Sequence, residues 1–354
     1  MRTSTAPWTS SSTSTSSSPT PTRTTPDCFE PSMLVDVIEP GLATTVQDLG
    51  RPGGYDVGIP PSGALDQNSA KIANLLVGNP VSAALLEAPY MAPKLRADSD
   101  TVMAVTGATV QLLVNGSEQP SWSPVAVKAG DEISFGFVQA GARVYIAFAG
   151  GIDVPAVMGS RSTYALGTLG GLHGRPIQVG DRLPLGAPTA AAARSSVPEA
   201  LRPSWSKEVE LRVVLGLYDY RLTDEARDVL VDSVWTLTPV ADRTGFRYSG
   251  PRLAFKERVQ PFGAGSDPSN IVDAGYPIGS IQVPSGSEPI ILHRDAVSGG
   301  GYAMVGTVIS VDMDLVGQCS PGTATSLVPV SLEDALAARH DARRAFEKVR
   351  DSLG

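Results

Sequence analysis

The sequence predicts a mainly β protein with a few helices, arranged as two β-units, and three observations carry that reading. The chain holds 36 Gly and 29 Pro against only 18% charged residues, a composition of short strands and tight connections rather than long charged helices. Runs such as TVMAVTGATVQLLVNG, VAVKAGDEISFGF and ARVYIAFAGGIDV set β-branched and aromatic residues between glycine-bearing turns. One small turn also recurs on both sides of residue 200: KAGDEI at 128–133, QVGDRL at 178–183 and SPGTAT at 320–325. Each places Gly and a short polar residue just before an alternating apolar run, as at the corners of compact β-barrels.

Taken in order, residues 1–32 are dominated by Ser, Thr and Pro with almost nothing that could join a core, so a disordered tail is expected. A plain tail fits better than a secretory signal, which needs a basic start and an apolar run, or a transit peptide, which carries more Arg. Met33 opens the first credible strand, LVDVIEPG, which marks the tail as an extension or an upstream start. An N-terminal β domain then spans 33–195. One helix interrupts it: Asp66 caps it, Ala70, Ile72, Ala73, Leu75 and Leu76 supply the apolar positions, and Gly78-Asn79-Pro80 ends it. A short second helix is expected at 81–88. The Ala/Ser/Pro stretch 186–205 reads as a linker.

A C-terminal β domain at 205–335 begins with VELRVVLG and a helix around 223–232, capped by Thr223 with Asp224 and Glu225 in its first turn. Short strands follow through WTLTPV, IQVP, PIILH and GTVISVD. Ser331-Leu332-Glu333-Asp334 reads as a capping box for a terminal helix, which occupies 336–354 as a surface feature of mixed charge.

Charge and motifs exclude several function classes. A formal net charge of −8 and the lack of a Lys/Arg run disfavour nucleic acid as a partner. Cys28 and Cys319 form no CxxC or Cys/His cluster, so neither a disulfide framework nor a structural zinc is supported, and a reducing cytoplasm is the expected compartment. Apolar stretches break well before membrane-spanning length, so a soluble protein is expected. No GxxxxGK[ST], GxGxxG after a first strand, HExxH or GxSxG occurs. His173, His293 and His340 are too scattered for a metal site or a Ser/His pair, which disfavours a self-contained hydrolase.

Four polar, glycine-rich clusters remain. VQDLGRPGGYDVGIPPSGALD, 46–66, holds Gln47, Asp48, Arg51, Ser62 and Asp66 among five glycines and three prolines. Its backbone N–H groups can approach an anion while Arg51 offers a guanidinium for a carboxylate or phosphate. Spacing alone fits better a rigid Ω-type loop whose Asp and Arg satisfy its own backbone. GSRSTYALGTLGGLHGRP, 159–176, brings Arg161, Ser162, Tyr164 and Arg175, where an anion site and a wide turn are both sensible. TPVADRTGFRYSGP, 238–251, carries Asp242, Arg243 and Arg247, which alone read as an ion-pair network. GSIQVP, 279–284, with RDAVSGGGYAM, 294–304, gives Gln282, Asp295, a glycine triplet and Tyr302. Three glycines in an apolar context carry an entropic cost that a close backbone approach would justify.

These clusters, with LLVGNP, LLEAP and SGGGYAMVGTVIS, resemble the successive signatures of allophanate hydrolase subunit 2, the family also called KipA or the C subunit of 5-oxoprolinase. The resemblance covers about 34–335 in the right order. It implies two cyclophilin-like β-barrel type domains and a smaller KipI-like partner, similar to the B subunit of 5-oxoprolinase; the same two halves occur fused in the carboxyltransferase region of urea carboxylase. It also implies ATP-dependent opening of 5-oxoproline, or a related carboxyltransferase or allophanate hydrolase-type reaction on a small amide or lactam. ATP would be used with the partner, and biotin would ride on a separate carrier, since no Met-Lys-Met acceptor occurs. Ala296-Val297-Ser298 stand where the family has Gln-Thr-Thr, and Ala303 where Pro commonly follows the tyrosine; these departures bear on substrate before fold.

On the enzymatic reading Asp48, Asp295 and Tyr302 are the catalytic candidates. Gln47, Arg51, Ser62, Asp66, Arg161, Ser162, Tyr164, Arg243 and Gln282 are the binding candidates, with no metal. The alternative is a non-catalytic protein that binds and antagonises a KipI-like kinase inhibitor.

Overall fold

The three recurring turns show how local chemistry sets the corners of the fold. In the computed structural model, which describes residues 33–189 and 194–354, Gly130, Gly180 and Gly322 take left-handed φ values of 88°, 84° and 82°. That region costs a residue with a Cβ about 1–2 kcal/mol. The polar residue after each glycine folds back onto the chain. Asp131 accepts from the Lys128 amide at 2.7 Å, Asp181 from the Gln178 amide at 2.7 Å, and Thr323 from the Ser320 amide at 3.3 Å. A strand leaves each turn: Glu132–Phe135, Arg182–Pro184 and Ala324–Pro329. The segment 1–32, with Cys28, lies outside the described residues.

The first half stacks two antiparallel sheets. One runs Arg182–Pro184, Leu34–Glu39, Lys94–Ala97, Glu132–Phe135, Leu112–Val114 and Ser117–Gln119. The other runs Thr45–Gln47, Leu85–Pro89, Ala140–Phe148, Thr101–Thr109 and Pro124–Val127. Alternating residues from both, among them Val37, Leu95 and Ile133 facing Leu86, Val105 and Ile146, share one buried core.

The second half closes into a seven-stranded barrel. Its order is Glu208–Leu215, Met304–Val308, Ser280–Gln282, Ile290–Leu292, Gly245–Ser249, Val234–Ala241 and Ala324–Pro329. Parallel pairing of Glu208–Val213 with Ala324–Pro329 completes the closure and leaves no barrel strand with a free edge. A ribbon of Asn270–Gly275 and Gly299–Tyr302 stands beside the barrel. The described residues are thus mainly β with four α-helices: α1 (Gln67–Leu76), α2 (Asp224–Asp232), α3 (Met313–Gln318) and α4 (Leu332–Ser352). All of these elements belong to one compact unit.

The cap signals hold. Asp66 accepts from the Ser69 amide, Thr223 from the Ala226 amide, and Ser331 and Asp334 form a reciprocal capping box. Three expectations are corrected. The helix expected at 81–88 is instead a turn followed by the strand Leu85–Pro89, because pairing on both sides, with Thr45–Gln47 and with Arg143–Ile146, outweighs local helix propensity. The expected linker is pinned where it is described: Val197 is fully buried, its amide bonds the Trp122 carbonyl at 2.9 Å, and Trp205 Nε1 donates to Gly107 at 2.9 Å. The terminal helix is no mere surface feature either, since Ala335, Ala338, Val349 and Leu353 are buried. Among the described residues no helix is long and apolar enough to cross a membrane.

Candidate functional site

Asp48 ties the first two glycine-rich loops together. Its Oδ1 accepts from the Gly50 amide at 2.7 Å, the Ser160 hydroxyl at 2.6 Å and the Ser162 hydroxyl at 2.5 Å, and its Oδ2 accepts from the Arg161 amide at 2.6 Å. Both oxygens are therefore committed to holding the loops in register. Gln47 works beside it, donating to Thr163 at 3.1 Å and accepting from the Gly63 amide at 3.1 Å.

The other two clusters join through Arg243. Its Nε meets Asp295 at 2.8 Å, its Nη1 meets Glu87 at 2.5 Å, and its Nη2 donates to the Gly63 carbonyl at 2.8 Å. Burial alone would lower the Arg243 pKa, but attraction to Asp295 and Glu87 outweighs it and raises the value, so the charge is firmly held. Arg243 rises from the barrel, while Glu87 and Gly63 belong to the first half. The guanidinium is thus a clamp between the halves, with its nitrogens engaged by protein acceptors. Asp295 answers it with both oxygens.

Arg51 differs from Arg243. It is 1% exposed, Nη2 donates to the Ser162 carbonyl, and Nε and Nη1 have no hydrogen-bond partner in the protein. Burial lowers its pKa, opposed by the charges of Asp48 and Asp295. Close above lies Gly170, where a Cβ would collide with the Ser162 carbonyl oxygen and sit 2.7 Å from Arg51 Nη2. Only glycine fits that approach. Ser62 lies on the same loop in a left-handed backbone, φ 53°, with a fully buried and unpartnered hydroxyl, and its amide donates to the Arg294 carbonyl at 3.0 Å. A buried guanidinium nitrogen without an acceptor costs about 1–3 kcal/mol or more. Arg51 and Ser62 thus leave three buried polar atoms without a partner on one loop, donors of the kind that a carboxylate or oxyanion would satisfy.

Asp66 lies against the barrel. It caps α1 and accepts from the Ser69 hydroxyl at 2.5 Å and from Gln318 of α3 at 2.9 Å. Burial, reinforced by Asp314, pushes its carboxyl up to about 7. His293 is buried and neutral: its Nδ1 accepts the Arg294 amide at 3.0 Å, so Nε2 carries the proton toward the Met313 carbonyl at 3.2 Å. Desolvation depresses its pKa well below the usual value.

The structure thus gathers Gln47, Asp48, Arg51, Ser62, Ser162, Arg243 and Asp295 at the contact between the halves. Asp66 lies at that contact too, bonded to Gln318, whereas the side chains of Arg161, Tyr164, Gln282 and Tyr302 are not brought there. The Arg161 guanidinium turns out to Asp153 at 2.7 Å and the Val154 carbonyl at 2.8 Å. Tyr164 closes its own turn with Leu169. Tyr302 is 44% exposed on the ribbon, its amide and carbonyl both bonded to the Tyr276 hydroxyl, and Gln282 lies in the neighbouring barrel strand within reach of that hydroxyl. No group of three or more metal-ligating side chains occurs among the described residues.

Sequence reasoning missed the supports. Glu87 takes Arg243 on one oxygen, and the Leu65 amide at 2.8 Å and the Tyr145 hydroxyl at 2.9 Å on the other. Gln318 bonds the Ala142 and Arg143 amides and the Arg143 carbonyl, each at 3.0 Å. A glutamate inside LLEAP and an arginine inside AGARVYIAF, single charges in buried strands, were the available signal.

The family model of the carboxyltransferase domain, subdomain A and B, matches residues 57–329. The chain is 34% identical over 316 residues to the C subunit of 5-oxoprolinase from Escherichia coli strain K12, covering 89% of this chain and 97% of that protein. It is 32% identical over 329 residues to urea amidolyase of Lachancea kluyveri, covering 89% of this chain but only 18% of that protein. The crystal structure of Kluyveromyces lactis urea carboxylase superposes with a TM-score of 0.84 at 32% identity, over 92% of this chain and 30% of that one.

Proposed function

The chain belongs to the carboxyltransferase family of subdomains A and B, and from that premise we propose that it is one component of an enzyme complex that opens a small lactam or amide in an ATP-coupled reaction, 5-oxoproline being the first candidate. The match to nearly the whole of a 5-oxoprolinase C subunit makes 5-oxoproline the first candidate, with a urea-derived substrate next. A KipI-like protein, similar to the B subunit of 5-oxoprolinase, supplies the other half of the site. ATP enters with that partner, and biotin, if the reaction uses it, comes on a separate carrier.

One observation carries the reading: Arg51 is buried with two nitrogens lacking acceptors, against the glycine-rich backbone at Ser162 and Gly170, on a loop whose Ser62 hydroxyl also lacks a partner. These donors suit the carboxylate of a 5-oxoproline-type substrate or the oxyanion that forms on its amide carbon. Asp48 holds these two loops together. The Arg243–Asp295 pair lies near enough to act on the Arg51 charge.

Purified chain and candidate partner, alone and mixed, should be assayed for ATP-dependent release of glutamate from 5-oxoproline. Turnover is expected only in the mixture. Arg51→Gln should lower kcat/KM by about 10–100-fold, the loss of one charge-assisted contact of roughly 1.5–3 kcal/mol. Full turnover by this chain alone, or an Arg51→Gln mixture as active as wild type, would refute the proposal, while tight pairing without turnover would favour a regulatory role.

A further inference from the structure

Helix α4 is anchored at its two ends and spans a groove in between. Near its start Ala335 and Ala338 pack with Ile309 against the barrel, and near its end Val349 and Leu353 enter the core that α1 shares with the first half. Between those anchors a groove of about 670 Å³ opens between α4, α1 and α3, a volume in the range of small-molecule sites. Four basic side chains line it: Lys71 from α1, Arg294 from the loop after Ile290–Leu292, and Arg339 and Arg343, one turn apart on α4.

The cations exceed what faces them. Arg343 has an acceptor on its own helix, Glu347 at 3.2 Å, and Arg294 Nε is buried without a hydrogen-bond partner. Lys71 lies 5.8 Å over the Phe346 ring rather than against a carboxylate. The two acids in the groove are occupied: Asp66 by Ser69 and Gln318, and Asp314 by the Gln67 amide at 2.9 Å and the Asn68 amide at 3.2 Å. Burial raises both carboxyl pKa values, that of Asp66 to about 7, so Asp66 holds only part of its negative charge near neutrality. Because Asp314 takes those amides, the α1 terminus offers no vacant donors, and any anion in the groove must be held by side chains.

We propose that this groove is a binding site for a small polyanion, a molecule with clustered phosphate or carboxylate groups, held by Lys71, Arg294, Arg339 and Arg343 with Trp205 and Phe346 as apolar walls. Arg339 and Arg343 lie beyond the 57–329 matched by the family model, so half of the site's basic side chains come from α4. The groove is distinct from the Arg51 loop and stands whether or not the proposed reaction is correct.

Calorimetric titration of the full chain with pyrophosphate and, separately, citrate tests the assignment at low salt. Saturable binding of at least one is expected, weakening as salt is added. The higher affinity identifies the source, a phosphate-bearing ligand if pyrophosphate and a polycarboxylate if citrate. Replacing Arg339→Ala together with Arg343→Ala, both exposed positions whose circular dichroism should stay unchanged, should weaken binding about tenfold or more, each lost contact to an anion being worth roughly a factor of ten. Lys71→Ala should weaken it independently, and the double replacement by Lys should retain most of it. Absence of saturable binding by either anion up to about 10 mM, or unchanged affinity in the double Ala variant, would overturn the site.

Discussion

Asp66 shows how much of a residue's role is local and how much is not. Its capping of α1 is readable from sequence, because the Ser69 amide it accepts is three residues away. Its contact with Gln318, 252 residues on, is not, and that contact is what buries it against Asp314 and the barrel. The same division separates Asp48, Thr223 and Ser331, whose glycine-rich or capping surroundings announce them, from Glu87 and Arg143, whose partners are set by how the halves dock. The candidates that the structure leaves apart, Tyr302 and Gln282, shared a cluster with Asp295 only through nearness in sequence, and the ribbon carries Tyr302 to Tyr276 instead.

Burial of Asp66 makes stability depend on pH with a definite sign. Its folded carboxyl is pushed up to about 7 from an ordinary value of 3.8. Between those values the folded chain keeps a proton that the unfolded chain has released, so the Asp66 contribution to stability falls as pH rises through that window. His293 works the other way: with its folded pKa depressed, it costs stability as pH falls below roughly 6.5. Arg294 and Lys71 are the cations that face the Asp66–Asp314 pair across the groove. Subtracting a variant isolates the carboxyl. Asp66→Asn keeps a good N-cap and removes the titration, so wild type minus Asp66→Asn should show a Tm difference that shrinks from pH 5 to pH 8. Parallel Tm curves across that range would refute the assignment.

At the scale of elements, the sequence signals that succeed are those whose physics is complete within a few residues. The three Gly-polar turns and the caps of α1, α2 and α4 are of that kind. Leu85–Pro89 fails the same test, because its strand conformation comes from neighbours at Thr45–Gln47 and Arg143–Ile146. Helix α4 was legible as a helix but not as a structural strap, since its mixed charge hides the few apolar residues that dock it. Its leucines separate the two descriptions. Leu353 is 1% exposed whereas Leu336 is 45% exposed. In denaturant titrations Leu353→Ala should cost about 2–5 kcal/mol, and Leu336→Ala should stay within about 0.5 kcal/mol of wild type. Equal, small effects would return α4 to the status of a surface appendage.

Taken as a whole, the molecule joins an open pair of sheets to a closed barrel through contacts that neither half could satisfy alone. Leu65, from the loop of the first half, is fully buried in the hydrophobic cluster of the barrel, and Gly317 of α3 packs so closely that a Cβ there would sit 3.0 Å from the Leu65 carbonyl carbon. Gln318 replaces missing strand partners at Arg143, and Arg243 neutralises Glu87 and Asp295, whose side chains are 2% and 6% exposed. Separating the halves would expose Leu65 and take from Glu87 the Arg243 guanidinium that pairs with it. Local opening along this seam should therefore cost nearly as much as global unfolding, and scanning calorimetry of the full chain should show one cooperative transition. Arg243→Ala removes the clamp while leaving both carboxylates in place, a loss of about 3–5 kcal/mol for breaking a buried pair. Its Tm should fall by several degrees, and Glu87→Gln combined with Arg243→Ala should recover part of that loss, because one stranded charge is then gone. Two resolved transitions in the wild-type chain, or no recovery in the double variant, would show that the halves are separate folding units joined by a dispensable contact.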